Sequence, residues 1–158
     1  MPKFKNSSTK LTVKGFTLIE LVVVVGIIGI LAVIVTSYLG TARNKGDDAR
    51  RVADIKQIQT ALGLYYDSHQ NYPPTLNLLV TDNDIASLPI PPSGTGETSY
   101  KYSALGNGSN CNDYHIGVTF EDVSSTILNS DTDAVAGSVC DESASDFSGA
   151  DPVYDVKP

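Results

Sequence analysis

Glu20 is the first residue of this 158-residue chain that asks for a chemical explanation. It opens a stretch with no other charge from Leu21 to Ala42. A carboxylate inside a membrane-length apolar segment costs roughly 2.5–3.5 kcal/mol on insertion scales, so it is expected to have a partner or a task. Two cysteines, Cys111 and Cys140, lie well beyond that stretch. A bridge between them would close a loop of about 30 residues, worth roughly 3–4 kcal/mol in the chain-entropy model. No CxxC or Cys/His spacing points to zinc. Asp131-Thr132-Asp133 sets carboxylate oxygens at alternate positions, the pattern that hard cations such as calcium use. The glycine and terminal glutamate of an EF-hand are missing, and a solvated acidic loop reads the same run. Asp141, Glu142, Asp146, Asp151 and Asp155 are further acids within reach in sequence.

The remaining reactive residue types point away from catalysis. His69 and His115 are the only histidines. His69 falls at a helix end and His115 on the polar side of a strand, so surface or capping roles are expected. The neighbouring acids Glu121-Asp122 and Asp141-Glu142 are read as solvent-facing. No phosphate-cradling glycine loop occurs, and nothing spaces Ser, His and Asp as a triad. No enzyme is read here. Charge narrows the partners further. The net charge is −7, but residues 1–15 hold four lysines and no acid, so the chain without them stands at −11. From Asp67 onward two lysines face fourteen acids. So acidic a domain argues against a broad nucleic-acid surface.

Three kinds of element must position these residues. Leu21–Ala42 is 22 residues long, about 33 Å as a helix, enough to cross a bilayer core. Its β-branched residues lower helix propensity in water, yet in lipid a helix satisfies every backbone group. A basic stretch precedes it, which reads as a cytoplasmic N-terminus. Arg43, Lys45, Arg50 and Arg51 follow it, so the charge bias is not one-sided. Beyond Gly46, Val52, Ile55, Ile58/Gln59, Leu62 and Tyr65/Tyr66 recur at helical spacing, forming an amphipathic continuation. Asp47 and Asp48 suit its start, and Asp54 suits a solvated face beside Arg50, Arg51 and Lys56. Pro73 and Pro74 stop the pattern. One long helix from about Phe16 to His69 is expected, with a soft spot at Gly40–Gly46.

The rest reads as a small head. Tyr100–Leu105 is a strand ended by Gly106-Asn107-Gly108. Asp113–Glu121 alternates, with Tyr114, Ile116, Val118 and Phe120 on one face. A small antiparallel sheet packed on the helix makes an α+β domain. The tail from Leu128 to Pro158 reads as an acidic loop.

Lys14-Gly15-Phe16-Thr17-Leu18-Ile19-Glu20 resembles the processing signal of type IV prepilins and type II secretion pseudopilins. The later stretch from Asp47-Asp48-Ala49-Arg50-Arg51 to Asn71-Tyr72-Pro73 is similar to the helix and loop of pseudopilin-G-like proteins. The resemblance implies a division into a leader (1–15), a transmembrane and filament-core helix (16–42), an amphipathic helix (43–71) and a β-rich head (72–158). It implies cleavage between Gly15 and Phe16 by a prepilin peptidase, with N-methylation of Phe16. Glu20 would pair with the N-terminal amine of a neighbouring subunit, or with its own. The implied partners are further copies in a helical filament, an inner-membrane assembly platform and, before assembly, membrane lipid. The implied location is a single-pass membrane protein with an extracytoplasmic head, where a disulfide persists. Some pseudopilins hold calcium near the C-terminus, which adds interest to Asp131 and Asp133. Two functions stand open: a subunit of a pilus or of a secretion or competence pseudopilus, and a membrane-anchored binding module that never polymerises.

Overall fold

A computed structural model describes residues 15–158; the leader, apart from Gly15, lies outside the described residues. The chain divides into two compact units at Leu39/Gly40. The first unit is helix throughout from Leu18, the first residue of α1 (Leu18–His69). Among its described residues the large apolar side chains are exposed, from Phe16 at 90% to Leu39 at 64%. Within α1 lies a window long and apolar enough to cross a membrane, none of it buried. In a helix without a polar face, no side of it is made to fold back on its own chain. The helix runs through Gly40–Gly46 without a break, as one long helix from the apolar stretch to His69 requires.

The second unit begins within the same helix. Arg51, Ile55, Ile58, Ala61, Leu62 and Tyr65 are buried along one face, at steps of three and four. This is the expected amphipathic stripe, shifted to include Arg51. Full burial of Ile58 or Leu62 is worth about 1.5–3 kcal/mol each. His69 ends the helix, its Nδ1 facing the Tyr65 carbonyl at 3.1 Å, and Gln70 then turns left-handed with φ 57°. A short helix α2 (Asn77–Thr81) follows, with Leu79 buried.

The sheet has three antiparallel strands, β1 (Lys101–Asn107), β2 (Asn110–Thr119) and β3 (Val153–Val156), with β2 in the centre. The α+β architecture matches the expectation. β1 and β2 form a hairpin whose register shifts between Leu105 and Gly106. Only glycine fits there: φ is 157°, and a Cβ would lie 1.9 Å from the Asn110 carbonyl oxygen. Tyr114, Ile116 and Val118 enter a core shared with Ile55, Leu62, Leu79, Phe120 and Leu128. The segment after α1 docks on the hairpin: Tyr72 N–H donates to the Cys111 carbonyl at 2.7 Å, and Tyr102 Oη to that of Pro73 at 2.7 Å.

Two expectations need correction. The opposite face of β2 is not solvated. His115 and Gly117 are buried beneath Phe147, whose ring stacks on His115 at 3.9 Å. A side chain at 117 would meet Phe147 at 2.9 Å. The acidic tail is not one loop either. It crosses this face, is fastened by the Cys111–Cys140 disulfide (Cα–Cα 5.6 Å), and returns as β3.

Candidate functional site

The N-terminal motif occupies the first turn of α1. Gly15, Phe16 and Thr17 precede the helix and are exposed. Thr17 N–H and Oγ1 donate to Glu20 Oε2 at 2.9 and 2.7 Å, and Glu20 N–H faces Thr17 Oγ1 at 3.3 Å. That is a reciprocal capping box, which satisfies amide donors that a helix start leaves orphaned. Its signal is local: threonine three residues before glutamate, ahead of an apolar run. All of these bonds to Glu20 fall on Oε2; Oε1 accepts none among the described residues.

The acids of the head divide into two buried networks and an exposed set. Arg51 is fully buried on α1. Its Nη1 donates to Asp48 Oδ1 at 2.7 Å, and its Nη2 to the Pro92 carbonyl at 2.7 Å and Glu121 Oε1 at 2.8 Å. Asp48 also accepts the N–H groups of Glu121 and Asp122, at 3.0 and 2.9 Å. Asp48, expected at a helix start, is therefore an internal anchor, and Glu121, expected in solvent, is half of a buried ion pair. A lone buried charge is costly, and this one is compensated by Asp48 on its own helix and by Pro92 and Glu121 from segments distant in sequence. Asp54 is likewise not merely solvated, since it accepts the Tyr100 hydroxyl at 2.7 Å.

The second network centres on His115, fully buried rather than on the surface. Nδ1 lies 2.8 Å from Asp146 Oδ1 and Nε2 lies 2.8 Å from Asp155 Oδ2. Asp155 in turn gathers the cation candidates. Its Oδ1 accepts Asp133 N–H at 2.9 Å, its Oδ2 accepts Ala134 N–H at 3.1 Å, and its own N–H donates to Asp131 Oδ2 at 3.2 Å. Oxygens of Asp131, Asp133 and Asp155 all lie within 4.8 Å of one another. Burial, with the Asp155 and Asp133 charges close by, pushes the Asp131 carboxyl above its usual range. Asp131 Oδ1 is buried and has no hydrogen-bond partner. Three carboxylates around an orphaned oxygen fit a hard divalent cation. The other acids are elsewhere. Asp146 is taken up by His115, Asp151 is exposed ahead of β3, and Asp141 and Glu142 line a separate cavity of about 410 Å³ with Tyr65, His69 and Cys111.

Comparison with known proteins bears on the first of these sites. Residues 11–36 match the family model described as the prokaryotic N-terminal methylation motif. The chain carries a prepilin-type motif. That match covers the apolar helix and the Thr17–Glu20 box together. The prepilin-type chain is also similar to proteins named type II secretion system core protein G. It is 36% identical over 98 residues to that of Pectobacterium carotovorum subsp. carotovorum, covering 52% of this chain and 63% of the relative. It is 37% identical over 76 residues to that of Escherichia coli K12, covering 48% and 52%. With the Vibrio cholerae protein the identity is 34% over 87 residues, covering 55% and 56%. The matches thus span about half to three fifths of these relatives' length. No solved structure matches.

Proposed function

We propose that this prepilin-type chain is a structural subunit, cut between Gly15 and Phe16, methylated on Phe16 and polymerised through α1 into a type II secretion pseudopilus. One observation carries the reading. The methylation motif leads directly into the apolar first part of α1, whose described side chains from Leu18 to Leu39 are all exposed. Such a surface requires lipid or other copies of itself. The similarity to core protein G favours a secretion pseudopilus over a pilus. The chain is then a substrate of the prepilin peptidase and catalyses nothing. Its N-terminus faces the cytoplasm and its head lies outside.

Glu20 has a defined part in this reading. Its Oε2 is held by Thr17, and its Oε1 is left to accept the charged amine of Phe16 from a neighbouring subunit. Pairing two opposite charges in a low-dielectric bundle fixes axial register and offsets the desolvation of each. The test is electron microscopy of sheared surface fractions combined with N-terminal analysis. Filaments built of chains that start at methylated Phe16 support the reading. Cleaved chains that never form filaments point to a membrane-anchored binding module instead.

Calcium is a second element of the proposal, held by Asp131, Asp133 and Asp155. When bound it would supply charge compensation for three carboxylates and tie the tail to β3. Millimolar calcium is expected to raise the thermal midpoint of the detergent-solubilised chain. An unchanged midpoint refutes it.

A further inference from the structure

We infer that His115 is the positioning residue of the acidic cluster, locking Asp155 so that its Oδ1 is what a hard divalent cation meets beside Asp131 Oδ1 and Asp133. The inference rests on the calcium reading above and adds a residue to it that no cation would touch.

The argument begins with lone pairs. An ionised carboxylate accepts at about four sites, two per oxygen. Asp155 Oδ2 already takes two N–H donors, from His115 and Ala134. Oδ1 takes one, from Asp133. One site therefore remains, and it is on Oδ1. The same count leaves Asp131 a whole oxygen, since Oδ2 is engaged by the Asp155 amide and Oδ1 by nothing. Asp155 can then serve as a one-oxygen ligand, and His115 is what closes its other oxygen.

The ring is itself held from every side. Phe147 stacks on it with an interplanar angle of 17°. Asp146 receives Nδ1, and is in turn fixed by the Phe147 N–H on Oδ1 at 2.9 Å and the Gly137 N–H on Oδ2 at 2.7 Å. Each ring nitrogen lies 2.8 Å from a carboxylate oxygen, Nδ1 from Asp146 Oδ1 and Nε2 from Asp155 Oδ2, so the ring spans the two acids and fixes where Asp155 Oδ2 sits. Gly149 completes the seat. A Cβ there would lie 2.4 Å from the Asp155 carboxylate, so only glycine leaves the carboxylate its place. The arrangement mirrors metal sites in which a carboxylate orients a ligating histidine; here a histidine orients a ligating carboxylate.

The experiment uses a matched pair of variants in the full chain in detergent. Glutamine carries its amide near the Nε2 position and asparagine near the Nδ1 position. His115→Gln keeps a donor toward Asp155, whereas His115→Asn keeps one toward Asp146 only. Calcium affinity is measured by calorimetry, with the calcium-free thermal midpoint of each variant alongside. The expected result is affinity within about 3-fold of the parent for His115→Gln and about 10–100-fold weaker for His115→Asn, with similar midpoints. Equal calcium affinity in the two variants overturns the inference, because a merely structural histidine would fail alike in both. Asp131→Asn separates this from the calcium reading itself. If the parent binds no calcium, or Asp131→Asn binds as the parent does, the site is wrong and both fall. Should either histidine variant not fold, a crystal structure of the parent with calcium decides. Asp155 on the ion through Oδ1 alone, with Oδ2 still on His115 Nε2, supports the inference, and Asp155 on the ion through Oδ2 overturns it.

Discussion

The two units of the chain treat charge and apolar surface in opposite ways. From Leu18 to Leu39 the apolar side chains stay exposed, and the one acid, Glu20, is satisfied within its own helical turn by Thr17. From Gly40 onward the apolar face is buried, and polar and charged groups go in with it: Arg51, Asp48, His115 and Asp155 are all inside. The difference teaches where each unit's stability resides. Among its described residues the first unit buries no apolar side chain, and in the proposed reading it depends on lipid or neighbours. The second is held by its own core and by side-chain hydrogen bonds whose partners lie as far as 31 to 70 residues apart in sequence.

That contrast is open to disruption at graded cost. Arg51→Ala should hurt most. It removes the cation beside buried Asp48 and half-buried Glu121 and empties a fully buried site, and a loss of about 3–5 kcal/mol in chemical unfolding of the detergent-solubilised chain is expected. Replacing Cys111 and Cys140 together by alanine should cost about 3 kcal/mol, from a bridge spanning 29 residues. The same loss should follow reduction of the parent chain.

Glu97→Gln should cost less, about 1 kcal/mol, and its cost should depend on pH. Burial alone would push the Glu97 carboxyl up, but hydrogen bonds from Lys101 and from the Thr119 N–H and hydroxyl outweigh it and hold the group below its ordinary value of 4.5. A carboxylate depressed in the folded state stabilises at pH above its unfolded value. That contribution is lost as pH falls through the lower folded value. The gap between parent and variant should therefore be full above the ordinary value and close below it. A gap independent of pH would assign Glu97 a packing role only. Smallest of all, Glu20→Ala should change the stability of the second unit by no more than about 0.5 kcal/mol, because its hydrogen bonds are to Thr17 in its own turn.

How much of this was legible in the sequence follows from how local each signal is. The apolar helix needs only a run without charge, so Leu21–Ala42 is plain. Ile55, Ile58, Leu62 and Tyr65 show their face through spacing alone. Arg51 belongs to the same face yet reads as polar, because Asp48 beside it looks like an ordinary surface pair and its other partners, Glu121 and the Pro92 carbonyl, are 70 and 41 residues away. His115 misleads in the same way. Alternation assigns it to the solvated face of β2, and only the returning tail, carrying Asp146, Phe147 and Asp155, covers it. β3 is four residues long with an aspartate at its centre, and it is a strand because Ile116–Thr119 lies beside it. Of the acids weighed as cation ligands, Asp131 and Asp133 announce themselves by alternation, whereas Asp155 joins them through the fold.

The central claim is that Glu20 serves assembly and not processing or folding. The most direct test compares the parent with Glu20→Ala, each expressed with its peptidase, by N-terminal analysis of the membrane fraction and electron microscopy of sheared filaments. The account predicts that both chains begin at Phe16 and that only the parent forms filaments. A Glu20→Ala chain that is cut and assembles at the parent's rate would contradict it.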